Sequence, residues 1–195
     1  MLEPLEAYYR LLAQWNAKIN LTALPLDSPT DETFDRLLVE PLAAARQIPD
    51  SPSVWFDLGS GGGSPAIPLK IGRPALKLTM VESKTRKGAF LREAIRTLGL
   101  ADTFVAEARF EDLAATSECQ GSAQLVTVRA VRTDAALFEA AGQFLAGGGR
   151  LLLFRPSHDP TPDPPGFISS ATVQLTDSPA TFLSIYKRVF HVERS

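Results

Sequence analysis

The chain of 195 residues has a single cysteine, Cys119, and only two histidines, His158 and His191. One cysteine excludes an internal disulfide. With two distant histidines it also excludes an ordinary Cys/His zinc site, so no metal is expected. No apolar run approaches the roughly eighteen residues of a membrane span. The N-terminal Met1-Leu2-Glu3-Pro4 has neither the basic start nor the apolar stretch of a signal peptide, so a cytoplasmic location without membrane contact is expected. An excess of one charge is missing too: 20 basic against 22 acidic residues give a net charge of -2, which argues against a basic nucleic-acid coat. What is present, 45% hydrophobic and 22% charged residues, suits an ordinary globular chain with one core.

The near-zero balance conceals a local asymmetry. Residues 70–96 hold eight bases (Lys70, Arg73, Lys77, Lys84, Arg86, Lys87, Arg92, Arg96) and two acids, whereas residues 1–69 hold four bases and nine acids. Such a segment reads either as a phosphate-binding footprint or as a solvated helix face.

Apolar spacings of three and four through Leu5, Tyr8, Leu12, Trp15 and Ile19 predict an amphipathic N-terminal helix, and a second is expected over about 34–46. From residue 54 the period changes. Short apolar runs predict strands at 54–58, 76–81, 104–106, 125–128 and 151–154, with helices at 65–71, 84–98 and 134–145, the last stopped by Gly147-Gly148-Gly149. This alternation implies a doubly wound, mostly parallel sheet with helices on both faces. A proline-rich loop at 156–166 precedes two further strands, 168–175 and 182–192, expected as an antiparallel hairpin at the sheet edge. The division read from this is a helical extension over 1–50 packed on a core of 51–195.

The segment Asp57-Leu58-Gly59-Ser60-Gly61-Gly62-Gly63-Ser64 joins the first strand to a helix that Pro65 is expected to open at its first position. Gly59, Gly61 and Gly63 permit positive φ and close approach of backbone to a ligand, as a nucleotide-like cofactor needs at a sheet switch point. The spacing G-x-G-x-G differs from the dinucleotide fingerprint, whose third glycine would fall on Ser64. S-adenosylmethionine has no pyrophosphate and carries a cationic sulfonium, so it suits a loop without the tight phosphate turn and preceded by the acid Asp57. Glu82, expected at the end of the second strand, is placed to accept two ribose hydroxyls.

Two rivals use the same residues. Gly62-Gly63-Ser64-Pro65-Ala66 is one substitution short of a G-x-S-x-G nucleophile elbow, with His158 or His191 as the available bases. A phosphate-binding P-loop lacks its Gly-Lys-Ser/Thr.

Further motifs bring a known family into view. Trp15-Asn16-Ala17-Lys18-Ile19-Asn20-Leu21-Thr22 resembles the W-N-x-x-x-N-L-T signature of the GidB/RsmG family, bacterial methyltransferases that make 7-methylguanosine in 16S ribosomal RNA. Residues 57–69 are similar to that family's D-x-G-S-G-x-G-x-P-G-I-P-L loop. Val81-Glu82-Ser83 with Lys84, Arg86, Phe90 and Leu91 resembles its acidic-basic segment, Arg109-Phe110-Glu111 its R-x-E element, and Val128-Arg129-Ala130-Val131 its S-R-A motif. Leu37, Glu40 and Pro41 depart from its R-H-x-x-D-S-L pattern, Ala66 replaces a glycine, and Phe154-Arg155-Pro156 stands where Lys-Gly and a helix are usual.

The resemblance implies a class I, Rossmann-like methyltransferase with a seven-stranded sheet, S-adenosylmethionine as cofactor, and small-subunit ribosomal RNA or the assembled small subunit as partner. It puts Gly59 and Ser64 at the cofactor and Phe110 and Glu111 at its adenine end. Arg129 is expected to close the site, facing the cofactor carboxylate or an RNA phosphate. Lys84, Arg86 and Lys87 are candidates for RNA contact, and so are Asn16 and Asn20, although a core role for Trp15 and a capping role for Asn20 compete. Guanine N7 has a free in-plane lone pair, so no catalytic base is expected, and Arg129-Ala130-Val131-Arg132 stands where amine methyltransferases place Asn/Asp-Pro-Pro-Tyr. A monomer is expected. The alternatives are a noncatalytic RNA- or ribosome-binding protein retaining this fold, or a methyltransferase for another RNA.

Overall fold

Five runs rich in Val, Leu and Phe lie next to one another as parallel strands, the central ones largely buried and pairing their backbone polar groups within the sheet, while the edge run leaves Phe104 half exposed. They are β1 (Val54–Leu58), β2 (Lys77–Val81), β3 (Thr103–Ala106), β4 (Ala123–Arg129) and β5 (Leu145–Arg155). In this computed structural model, which describes residues 2–49, 51, 53–157 and 162–189, the antiparallel strands β6 (Phe167–Asp177) and β7 (Ala180–Arg188) complete one sheet in the order β3-β2-β1-β4-β5-β7-β6. His158 and His191 lie outside the described residues. The order reverses between β1 and β4, so a switch point opens at the carboxyl end of β1, where ligands of open α/β sheets bind.

Helices α4 (Ala66–Gly72), α5 (Thr85–Leu98), α6 (Phe110–Ala114) and α7 (Ala135–Phe144) connect the parallel strands. Two apolar clusters fill the two faces. One joins Trp55, Leu78, Met80, Phe90 and Leu152 to Tyr8 and Leu12 of α1 (Leu2–Asn16), and the other groups Phe56, Val126, Leu137, Phe144 and Tyr186. Among the described residues no helix is long and apolar enough to cross a membrane.

Three expectations need correction. The helix expected over 34–46 is broken into α2 (Asp31–Phe34), a π-helical turn (Asp35–Val39) and α3 (Glu40–Ala45). The glycine run 147–149 does not simply stop α7. It lies inside β5, where Ala123 pairs with Leu145 but Leu125 pairs with Arg150, so the glycines form a bulge against β4. Helix α4 begins at Ala66, with Pro65 as its cap rather than its first residue.

The basic segment is dispersed by the fold. Lys70 is buried, its ammonium donating to the carbonyls of Pro74 (2.8 Å) and Leu76. Arg92 pairs with Glu107 at 2.7 Å and Arg96 with Glu93 at 2.6 Å. Lys84, Arg86 and Lys87, at the start of α5, remain near the switch point.

Candidate active site

The loop after β1 is built from below. Asp57 ends the strand with 1% exposure, and its Oδ1 accepts from Thr127 Oγ1 at 2.5 Å, while Trp55 Nε1 donates to the same threonine oxygen at 2.8 Å. Ser60 Oγ donates to the Asp57 carbonyl at 3.0 Å. Burial pushes the Asp57 carboxyl up to about 6, against the lowering effect of these hydrogen bonds and of Arg129. Asp57 therefore lies beneath the glycine loop, in a buried network, and not in the mouth where a ligand would meet it directly.

Gly59 and Gly63 both have positive φ, +74° and +84°. A Cβ on Gly59 would come within 2.7 Å of Val131 Cγ2, and one on Gly63 would run into Ile67 of α4. Gly59 thus lets β1 turn past the β4 end, whereas Gly63 is buried against Ile67 and Leu91 and serves packing rather than the ligand surface. The loop is held from outside by Tyr8, whose hydroxyl donates to the Gly62 carbonyl at 2.7 Å. Tyr8 is fully buried, and burial pushes its phenol well above the ordinary range.

Glu82 stands just past β2 with 7% exposure. Its Oε2 accepts from Gly61 N at 3.0 Å and its Oε1 from Lys84 N at 2.8 Å. Each carboxylate oxygen keeps a second lone pair for a ligand hydroxyl. Glu82 lines a pocket of about 130 Å³ together with Gly59, Ser83, Phe110 and Glu111. Phe110 also packs against the second apolar cluster, and Glu111 pairs with Arg109 at 3.4 Å on the surface.

A larger pocket of about 480 Å³ follows, lined by Gly59 to Gly62, Ser64, Arg129, Ala130 and Lys87, with Leu12, Leu21 to Leu24, Arg36 and Leu37 from the N-terminal region. A third, of about 180 Å³, shares Arg36, Arg129 and Ala130 with it and is completed by Glu40, Phe154, Arg155, Pro156 and Thr181. The three make one groove along the carboxyl ends of β3, β2, β1, β4 and β5.

Arg129 is neither free in this groove nor on the surface. Its side chain is 10% exposed and pairs with Glu40, 4% exposed, through Nη1 and Oε2 at 3.1 Å. Nη2 donates to the Arg36 carbonyl and to Ser64 Oγ at 3.1 Å, and the guanidinium lies over the Phe154 ring. Burial pulls the guanidinium pKa down, and Glu40 opposes this. The expectation that Arg129 faces a cofactor carboxylate or an RNA phosphate thus meets a guanidinium already engaged by Glu40.

The broken helix explains this geometry. Glu40 N donates to Asp35 O in the π turn, bypassing the Arg36 carbonyl, and Pro41 has no N–H to give to Leu37 O. These two released carbonyls accept the Ser64 hydroxyl, from Leu37 at 3.0 Å and Arg36 at 3.4 Å. A Ser64 oxygen committed in this way does not resemble an activated nucleophile, and the histidines that a hydrolase would need lie outside the described residues.

Asn16 is a structural residue: its Oδ1 accepts from Leu21 N at 2.9 Å and Thr22 N at 3.0 Å, folding the loop after α1. Trp15 packs edge-on against Phe90, and Asn20 is exposed. Sequence reasoning missed Tyr8, Thr127 and the role of Glu40. Tyr8 fell on the apolar stripe of α1, Thr127 inside a buried strand, and Glu40 registered only as a departure. The one available signal was an acid on an otherwise apolar helix face. Ala130, at the end of β4, has a φ of 55°, backbone strain of the kind that gathers at functional sites. Among the described residues no cluster of potential metal ligands occurs.

Residues 1–161 match the family GidB, rRNA small subunit methyltransferase G. A ribosomal RNA small subunit methyltransferase G of Stenotrophomonas maltophilia (strain K279a) is 39% identical over 154 residues, covering 78% of this chain and 68% of the relative. Its counterpart in Xanthomonas oryzae pv. oryzae (strain KACC10331 / KXO85) is 37% identical over 177 residues, 88% of this chain and 78% of the relative. Among solved structures, a SAM dependent methyltransferase from Aquifex aeolicus aligns with TM-score 0.62 and 11% identity, over 82% of this chain and 94% of that one. A mutant of MtNAS in complex with S-adenosylmethionine aligns with TM-score 0.62 and 14% identity, over 93% and 73%. At such identities the structural likeness speaks for the fold, a class I α/β methyltransferase sheet. With the sequence match spanning most of its length, the chain belongs to the GidB family of small-subunit rRNA methyltransferases.

Proposed function

We propose that this chain is an S-adenosylmethionine-dependent methyltransferase that modifies N7 of a guanosine in 16S ribosomal RNA. The carrying observation is that residues 1–161 match the family and that its glycine loop and Glu82 meet in one groove at the sheet switch point. The residues present fit the cofactor. Glu82 is held by two backbone amides with lone pairs left for ribose hydroxyls, Phe110 offers a face to an adenine, and Gly59 to Gly62 present backbone along the middle of the groove. When bound there, S-adenosylmethionine supplies an electrophilic methyl on sulfur.

The chain's own part is alignment. Ser64, Arg129 and the two carbonyls of the π turn fix the wall opposite the glycine loop, so that a base entering from the β4 side is held in one orientation. No proton need be removed from guanine N7, and the acids of the groove are arranged accordingly: Glu82 holds amides and Glu40 holds Arg129. Lys84 and Arg86, exposed at the start of α5, and Lys87 in the pocket wall supply cations for the RNA backbone.

The test is transfer of labelled methyl from S-adenosylmethionine to small ribosomal subunits, and to their naked RNA, from cells lacking this activity. Label in the 16S RNA supports the reading. Cofactor binding without transfer to either substrate removes the ribosomal assignment and favours a noncatalytic RNA-binding protein or another RNA substrate.

A further inference from the structure

The proline-rich stretch after β5 has no part in the site described so far, and it is where the chain leaves the family pattern: the family match ends at residue 161, inside it. Pro156, Pro162 and Pro164 form one wall of a further cavity of about 380 Å³. Facing them are Phe138 of α7, Thr133 just before that helix, and Arg155 at the end of β5. Arg155 and Pro156 also line the cavity of about 180 Å³, which shares Arg129 and Ala130 with the glycine-loop pocket. The groove of the candidate site therefore continues past the ends of β4 and β5 to the start of α7. Proline has a fixed φ and no N–H, so this wall is stiff and offers ring faces where other residues offer backbone donors. Phe138 is half-buried, and its ring is set by Phe167 at 5.9 Å and Tyr186 at 6.0 Å between centroids, so its place does not wait on a ligand. Among the described residues lining the cavity, Arg155 is the one charged side chain, and none is acidic.

We propose that this cavity takes the base of the nucleotide next to the methylated one, stacked on the proline and Phe138 faces, with Arg155 supplying positive charge beside the intervening phosphate. Flat apolar faces beside a cation and no anion suit a nucleobase on a polyanion, because every base has a π face whatever its edge carries. A peptide strand would need backbone partners, and three prolines supply no donor to it. Neighbouring strands lie about 4.8 Å apart, so a base at the end of β4 and one at the end of β5 are adjacent along an extended strand of RNA. The inference rests on the reading above that the substrate is RNA and adds where that strand runs, from the glycine-loop groove across β4 to β5 and α7. Holding the neighbour converts its stacking into orientation of the target guanine, the alignment on which transfer without acid-base catalysis depends.

The test crosses protein variants with the loss of one base. Native protein, Phe138→Leu, Arg155→Met and Pro162→Gly are compared for S-adenosylhomocysteine affinity, thermal midpoint and methyl transfer to small subunits. Phe138→Leu removes the aromatic face and keeps an apolar side chain, while Pro162→Gly changes an exposed position of the wall and leaves the core intact. Once the labelled guanosine is mapped, subunits are also reconstituted with RNA that is abasic at the nucleotide on its 5′ side or on its 3′ side. For the native protein, one of the two abasic substrates should lower kcat/KM by about 10- to 100-fold, the range of one stacked base. Phe138→Leu and Pro162→Gly should lose about fivefold or more on intact subunits, but stay within about twofold of native on that abasic substrate and in S-adenosylhomocysteine affinity. Arg155→Met should lower both substrates alike and reduce the salt slope by about 1. Losses in Phe138→Leu and Pro162→Gly that are equal on intact and abasic subunits mark a purely structural wall or a contact with a ribosomal protein; that result, or full activity in every variant, overturns the proposal. Absence of transfer by the native protein instead overturns the RNA-methylation reading, and this inference with it.

Discussion

Glu82 spends one lone pair of each carboxylate oxygen on a backbone amide, Gly61 N on one side and Lys84 N on the other, so it ties the glycine loop to the start of α5. Replacing it with alanine frees both amides and removes the acceptor for the ribose. Glu82→Ala should weaken S-adenosylhomocysteine binding by roughly 10- to 100-fold in calorimetry while leaving the far-UV dichroism of the native chain. Unchanged affinity would exclude Glu82 from the cofactor site. Asp57 makes a prediction of a different kind. Its carboxyl, ordinarily at 3.8, is raised to about 6 in the fold, so the folded chain holds this proton more tightly than the unfolded one. Stability from this group is complete below about pH 4 and is lost as pH rises to about 6. Relative to Asp57→Asn, which cannot titrate, the native chain should lose roughly 2 to 3 kcal/mol over that window in urea unfolding. A pH-independent difference would show that Asp57 titrates normally. Both residues were visible in the sequence as an acid before glycines and an acid after a strand. The burial of Asp57 was not, because it depends on Thr127, which lies 70 residues away.

At the scale of elements, Tyr8 ties α1 to the glycine loop through a polar contact in an apolar seam. Tyr8→Phe keeps the ring packing and removes the donor to the Gly62 carbonyl, so it should cost about 1 kcal/mol of stability and weaken cofactor binding several-fold. If unfolding midpoint and affinity both stay at native values, α1 does not support the loop. The strands themselves were legible, since short apolar runs separated by amphipathic stretches admit few other arrangements, and the glycine loop fell where the switch point proved to be. Two elements were not legible for physical reasons. A glycine triplet permits unusual backbone without saying whether it follows a helix or bulges in a strand, and only pairing with β4 decides that. The π turn over Asp35–Val39 leaves the apolar periodicity nearly intact. Its consequence, two free carbonyls aimed at Ser64 and Arg129, depends on Pro41 lacking an N–H.

For the whole molecule, a net charge of -2 leaves recognition of a polyanion to local groups. Lys84 and Arg86, exposed beside the groove, are such groups, whereas Lys70, Arg92 and Arg96 are committed within the protein. The double variant Lys84→Gln, Arg86→Gln should raise KM for small subunits and reduce the slope of log KM against log salt by about 2, without altering S-adenosylhomocysteine affinity. An unchanged salt slope would move the RNA footprint elsewhere. The Arg129–Glu40 pair, by contrast, joins α3 to β4, so the site is assembled from segments far apart in the chain. The most direct test of the central claim is nucleoside analysis of 16S RNA methylated by this protein in small subunits with labelled S-adenosylmethionine. The expected result is label recovered as 7-methylguanosine. Recovery in any other nucleoside, or no label in RNA at all, would contradict it.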